Sequence, residues 1–224
     1  MDEGGRGLPD KRRAILAGAL TVFARDGYSR ASIDAIAAEA RVSTRTIYNH
    51  FEDKAHLFHA VMLASTCRVA EAQLALLDRH LGDVTGGSVT GGSVTGGDVA
   101  DLEADLVAFG LAWLAPMPDA ADHSALVRQV HAESAHIPPA AIEAWQEAGP
   151  LRVRRALGRR FAELAEAGLL RVADPERAAL HFSALISGLT PSWCGPYTAP
   201  ADLGATVAAG VHAFLYGYAT RSAE

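Results

Sequence analysis

Arg45 lies between Thr44 and Thr46, with Ser43 before them and Tyr48, Asn49 and His50 after. These are short or planar hydrogen-bonding groups around one fixed cation. They suit the edges of bases and the oxygens of phosphates, not bond cleavage. Arg45 can pair in bidentate fashion with a guanine, for about 1–3 kcal/mol of discrimination, and threonine methyls can meet thymine methyls. No Ser-His-Asp, Cys-His or carboxylate-pair arrangement points to catalysis. His56 and His59 share a helix face at i, i+3, but no third ligand accompanies them, so neither a metal nor a cofactor is expected.

Such groups need a rigid mount, and the apolar spacing around them supplies one. Ile33, Ile36, Ala37 and Ala40 recur at helical intervals; Val42 follows; Ile47, Tyr48 and Phe51 recur again. The pattern is a helix, a turn and a second helix over Thr44 to Phe51. Ser32 and Ser43 are good N-caps for the two, and Asp53 for a long helix running towards His80. Lys11 to Asp26 reads as an amphipathic helix with Ile15, Ala19, Leu20, Val22 and Phe23 inside, ended by Gly27. Residues 10–60 thus form a helix-turn-helix that binds double-stranded DNA. Thr44, Arg45 and Thr46 are expected to read bases. Phosphates fall to Lys11, Arg12, Ser32, Arg41, Tyr48, His50 and Lys54, with Ser43 and Asn49 on the same surface.

This segment resembles the tetracycline-repressor (TetR) family. The matching residues are Phe23, Gly27-Tyr28, Ser32-Ile33, Ile36-Ala37, Ala40, Val42-Ser43, Thr46, Ile47-Tyr48, Phe51, Lys54 and Leu57, across roughly residues 11–60. Arg41 stands in the turn where that family usually has glycine, and a side chain there costs roughly 1 kcal/mol in a left-handed conformation. The resemblance implies a helical C-terminal domain that dimerises and binds a small-molecule effector. It also implies a pseudo-palindromic operator and a repressor released by that effector. From Val127 to Leu189 the chain further resembles the AefR-like regulators, through His131-Ala132-Glu133, Gly149-Pro150, Gly168-Leu169-Leu170 and Asp174-Pro175. A competing class is a helical small-molecule binder or enzyme with a vestigial DNA module. The polar third helix argues against it.

The remaining residues, 61–224, read as the effector-binding and dimerisation domain of an all-α protein of about ten helices. Helices are expected from Val99 to about Pro116, Ala120 to His136, Pro139 to Ala148, Pro150 to Ala167, Pro175 onward, and Ala201 to Thr220. The last two carry Ala178, Ala179, Phe182, Leu185, Ile186 and Leu189, then Val207, Val211, Phe214, Leu215 and Tyr218, as a dimer face. An effector pocket would be apolar with a few polar groups. Its candidates are Phe109, Trp113, Val130 and His131, with Ser134, Trp145, His181 and Trp193. Each taken singly is more often ordinary core.

Residues 1–9 are expected to be disordered. Residues 82–98, with the TGGSV-type repeat, read as a flexible linker of roughly 20–25 Å. The basic run at Arg152, Arg154, Arg155, Arg159 and Arg160 reads as a solvated face paired with Glu163 and Glu166. Net charge is −6, divided unevenly: nine Lys and Arg against eight Asp and Glu in residues 1–60, eleven against eighteen beyond. The acidic bulk should be repelled by DNA and help orient docking. No apolar run of about 18 residues suggests a membrane span. Cys67 and Cys194 make no disulfide framework, and the N-terminal residues lack a signal h-region. A cytoplasmic protein is expected.

Overall fold

The computed structural model describes residues 7–82, 99–115, 117, 121–187 and 202–218. Segment 1–6, repeat residues 83–98, Trp193 and Cys194 lie outside the described residues. Every element described is helical: α1 (Gly7–Arg30), α2 (Ile33–Glu39), α3 (Thr44–Tyr48), α4 (Lys54–Leu81), α5 (Val99–Leu114), α6 (Ala121–Ala132), a 3₁₀ turn (Ser134–His136), α7 (Pro139–Ala148), α8 (Pro150–Glu166), α9 (Pro175–Ser187) and α10 (Leu203–Tyr218).

The ends obey local chemistry. Asp53 caps α4 through the His56 N–H at 2.7 Å, and Asp174 caps α9 through that of Arg177 at 3.0 Å. Asp202, which the sequence reading passed over, caps α10 through the Ala205 N–H at 2.9 Å. The helix expected over 120–136 is shorter: α6 stops at Ala132 and the chain tightens into a 3₁₀ turn before Pro138. α8 closes on Gly168 at φ 77°, with the Leu169 N–H on the Leu164 carbonyl at 3.0 Å and that of Gly168 on Ala165 at 3.0 Å. This is a Schellman close.

The chain divides into two compact units, Met1–Ala70 with Pro116–Pro150, and Glu71–Ala115 with Leu151–Glu224. The sequence places a boundary at residue 60, with α6 and α7 beyond it. They join the N-terminal helices because Leu126, Val130, Ile137 and Trp145 bury in the same cluster as Ile15, Phe23, Ile36, Ile47, Phe51 and Phe58. Sequence distance is no guide to that packing.

The second unit is built on interlocked phenylalanines. Phe161, Phe182 and Phe214 stand 5.0–5.5 Å apart, centroid to centroid, and Phe109 stacks on Phe182 at 6.0 Å. Such pairs add about 0.5–1.5 kcal/mol each beyond area burial. This packing changes the reading of α9 and α10. Ala178, Ala179, Phe182, Ile186, Val207, Val211 and Phe214 are spent on the chain's own core. Their outer faces carry exposed Leu180, Ala184 and Leu185, then Ala209, Ala213 and Tyr216. On α8, Arg152 pairs with Glu71 at 2.7 Å, and Arg160 with Glu163 at 2.8 Å and Asp78 at 3.6 Å. The Arg152 pair is exposed and of small energetic weight, whereas the Arg160 side chain is largely buried between its two carboxylates.

By length and composition α4 could cross a membrane. Its apolar residues are instead divided between the cores, with Leu57, Phe58, Val61 and Met62 in one and Leu77 and Leu81 in the other.

Candidate nucleic-acid interface

The interface is built on two capped helices and the turn between them. Ser32 accepts from the Ala35 N–H at 3.1 Å, and Ser43 from that of Thr46 at 3.1 Å. Between them α2 ends in another Schellman close: the Val42 N–H reaches the Ala37 carbonyl at 3.0 Å, and that of Arg41 reaches Ala38 at 3.2 Å. Arg41 occupies the left-handed position at φ 54°, where α8 uses glycine. The motif therefore forms despite the Cβ. Arg41 is exposed beside an open groove of about 460 Å³ that it lines with Arg25 and Glu39, and Arg25 is already paired with Asp26 at 2.8 Å.

The recognition helix is shorter than its sequence pattern. α3 ends at Tyr48, the His50 N–H bonds three residues back to Ile47, and Phe51 turns into the core, 2% exposed. That burial fixes α3 by Ile47 beneath it and Phe51 behind it. Arg45 and Asn49 are left exposed, Thr44 half-buried, and Tyr48 56% exposed. Thr46 differs from expectation: its hydroxyl is 2.8 Å from that of Ser43, so it serves the cap.

Lys54 differs more. Its ammonium donates to the carbonyls of Tyr28 at 3.0 Å, Ser29 at 3.4 Å and Ala31 at 3.1 Å, and lies 4.8 Å from the Tyr28 ring centroid. These carbonyls lie in the turn past Gly27, where φ 79° and ψ 175° break the helix, and an ammonium satisfies them. The sequence places Lys54 near a phosphate; here it closes the turn that follows the Gly27 break in α1. Of the N-terminal cations, Lys11 is exposed and Arg12 sits 5.3 Å over the Phe51 ring, joining α1 to the exit of α3.

One residue absent from every site expectation meets this region. Glu133, just past α6, accepts from the Ser29 N–H at 2.8 Å and the Ser29 hydroxyl at 2.7 Å. Gly27, at φ 79°, makes room for it: a Cβ there would run into Glu133 Oε1. Burial pushes the Glu133 carboxyl up, but the two Ser29 bonds and the charges of Arg30 and His136 outweigh it, holding it below the ordinary range. Sequence offered only the His131-Ala132-Glu133 resemblance as a signal, and no partner.

The effector candidates do not assemble into one place. Phe109 and Trp113 stand edge to face at 5.1 Å in the second unit, where His181 is exposed on α9. Val130 is core of the first unit, and His131 meets Trp145 at 6.2 Å there, with Ser134 exposed nearby in sequence. No group of three or more His, Cys, Asp or Glu suited to a metal occurs among the described residues.

Residues 15–61 match the profile described as bacterial regulatory proteins, tetR family, and residues 104–220 that of the AefR-like transcriptional repressor, C-terminal domain. A DNA-binding transcriptional repressor TetR of Mycobacteroides abscessus is 49% identical over 49 residues, 22% of this chain and 26% of that protein. The alignment therefore spans about a quarter of that repressor's length. Likeness over the whole chain comes from solved structures. A TetR-family transcriptional regulator from Mesorhizobium loti is 25% identical with a TM-score of 0.77, covering 95% of this chain and 98% of that one. The flavonoid-responsive regulator FrrA is 25% identical with a TM-score of 0.65, covering 96% and 100%. With the first profile on α1 to α4 and the second on the helices from α5 to α10, the chain belongs to the TetR family of bacterial transcriptional regulators.

Proposed function

We propose that the protein is a homodimeric repressor that reads a pseudo-palindromic operator and releases it when a small apolar effector binds. The observation that carries the DNA-reading half is α3. Ile47 is buried, while Arg45, Tyr48 and Asn49 project from a helix capped by Ser43. Arg45 is assigned to a guanine edge and Thr44 to a neighbouring thymine methyl. Tyr48, Asn49, His50, Ser32, Arg41, Lys11 and Arg12 are assigned to the backbone on either side. The dimer is supported by α9 and α10, whose outer faces leave Leu180, Leu185 and Tyr216 uncovered, the last 81% exposed. Four such helices, two from each copy, would bury them. Two recognition helices related by that axis would meet successive turns of the duplex.

Effector response rests on the AefR-like match and on the name of FrrA, which responds to flavonoids. Trp113, half-buried against Phe109, is the residue we assign to an apolar ligand. Action in the cytoplasm follows from a DNA target.

The deciding experiment is a mobility-shift titration on duplex from upstream of the protein's own gene, against random duplex of equal length, at about 150 mM salt. Preference for the upstream DNA is expected. Arg45→Ala should erase most of it, about 1–3 kcal/mol, while leaving random duplex nearly unaffected. Equal affinity of the wild-type protein for both duplexes would sink the proposal.

A further inference from the structure

The corner between α1 and α2 is gripped from two sides. Ser29 donates its N–H and hydroxyl to Glu133, which lies 104 residues further along the chain, and its carbonyl accepts from Lys54, the first residue of α4. Every hydrogen-bonding group of Ser29 is thereby engaged. Three residues later Ser32 caps α2, and α2 leads through the Arg41 turn into α3. Lys54 begins the helix that follows α3. The corner therefore sets how the reading helices hang between α1 and α4.

We propose that Glu133 is a positioning residue for DNA binding, the point at which the C-terminal half of the chain sets the α1–α2 corner. The proposal rests on the DNA-reading function above. Glu133 touches no DNA in it and acts through Ser29. Gly27 is the permissive half of the device, since only a residue without a Cβ accepts both the left-handed φ and the carboxylate beside it. The rest of α6 is tethered independently. Asp122 accepts from the Thr21 hydroxyl at 3.1 Å, His123 Nδ1 pairs with Ser65 at 2.9 Å, and Leu126 and Val130 are buried. Removing Glu133 frees the corner and leaves α6 docked.

The test compares full-length wild type with Glu133→Ala, Glu133→Gln, Ser29→Ala and the Ser29→Ala/Glu133→Ala double variant. Binding is followed by fluorescence anisotropy on the upstream and random duplexes. Measurements are made well below each variant's melting temperature, with folding checked by circular dichroism. Glu133→Ala should bind the upstream duplex roughly tenfold more weakly, the scale of losing a hydrogen-bonded charge, with a much smaller loss on random duplex. Glu133→Gln, which keeps an acceptor for Ser29, should recover most of it. The double variant should be no weaker than Glu133→Ala, because the two residues act as one contact. A merely structural Glu133 would lower the melting temperature and leave the affinity of the folded protein untouched, and that result overturns the proposal. So do multiplying losses in the double variant. A wild-type protein without preference for the upstream duplex overturns the DNA-reading assignment itself, which separates the two failures.

Discussion

Replacing Lys54 by methionine keeps the stem over Tyr28 and removes the charge. The structure fixes what is lost: donation to three carbonyls at 3.0–3.4 Å and the contact with the Tyr28 ring at 4.8 Å. A hydrogen bond to a charged group contributes about 1.5–3 kcal/mol, and an exposed cation–π contact about 0.5–1. One ammonium shares its protons among three acceptors and is half-buried, so these do not sum; about 2–3 kcal/mol is expected. For a compact unit of about 100 residues that is a drop on the order of 10 °C in melting temperature. The DNA side of the assay decides the interpretation. Each neutralised phosphate contributes about 0.9 to the slope of log affinity against log salt. Lys54 spends its charge on carbonyls, so the slope of Lys54→Met should equal that of the wild type while affinity for upstream duplex falls through misplacement of α3. A slope reduced by about one, with the melting temperature unchanged, would show Lys54 on a phosphate and refute the brace.

Arg41→Gly should raise stability by about 0.5–1 kcal/mol in chemical denaturation, since φ 54° suits glycine, while weakening all duplexes if the guanidinium meets a phosphate. Acid should loosen α6. Burial, with Arg68 adding to it, holds the His123 pKa below its ordinary 6.5, so the folded protein resists a proton that the unfolded chain accepts. Stability is then full above about pH 6.5 and declines as pH falls below it; His123→Asn should flatten that part of a melting-temperature profile. Glu133, also held below its ordinary value, adds a second decline as pH falls below about 4.5, absent in Glu133→Gln. Leu185→Asp with Tyr216→Asp should give a monomer by analytical ultracentrifugation with helix content unchanged, because both side chains are exposed; a surviving dimer would place the interface elsewhere.

The reading helix was legible from sequence because its information is local. Caps at Ser32, Ser43, Asp53 and Asp174, apolar spacing around Ile36 and Ile47, and the left-handed Arg41 each depend on neighbours within five residues. Dimer and effector residues were less legible. Hydrophobic spacing on α9 and α10 marks an apolar face without saying whether it meets the chain's own core or a partner: Ala178, Ala179, Phe182, Ile186, Val207, Val211, Phe214 and Leu215 are core, while Leu185 is exposed. The effector candidates were chosen by residue type, and type alone does not bring Trp113 and Trp145 into one unit.

By itself, then, the chain's sequence determined an all-helical regulator with a capped reading helix and the family to which it belongs. Periodicity, capping and turn stereochemistry are short-range and survive without knowledge of the partners. Tertiary structure alone decided the roles of the charges around that helix. It placed the Lys54 ammonium on the carbonyls of Tyr28, Ser29 and Ala31, and carried Glu133 across 104 residues to Ser29. The reason is physical: a charged side chain goes where its unmet hydrogen-bonding partners are, and those partners become neighbours only when distant helices pack.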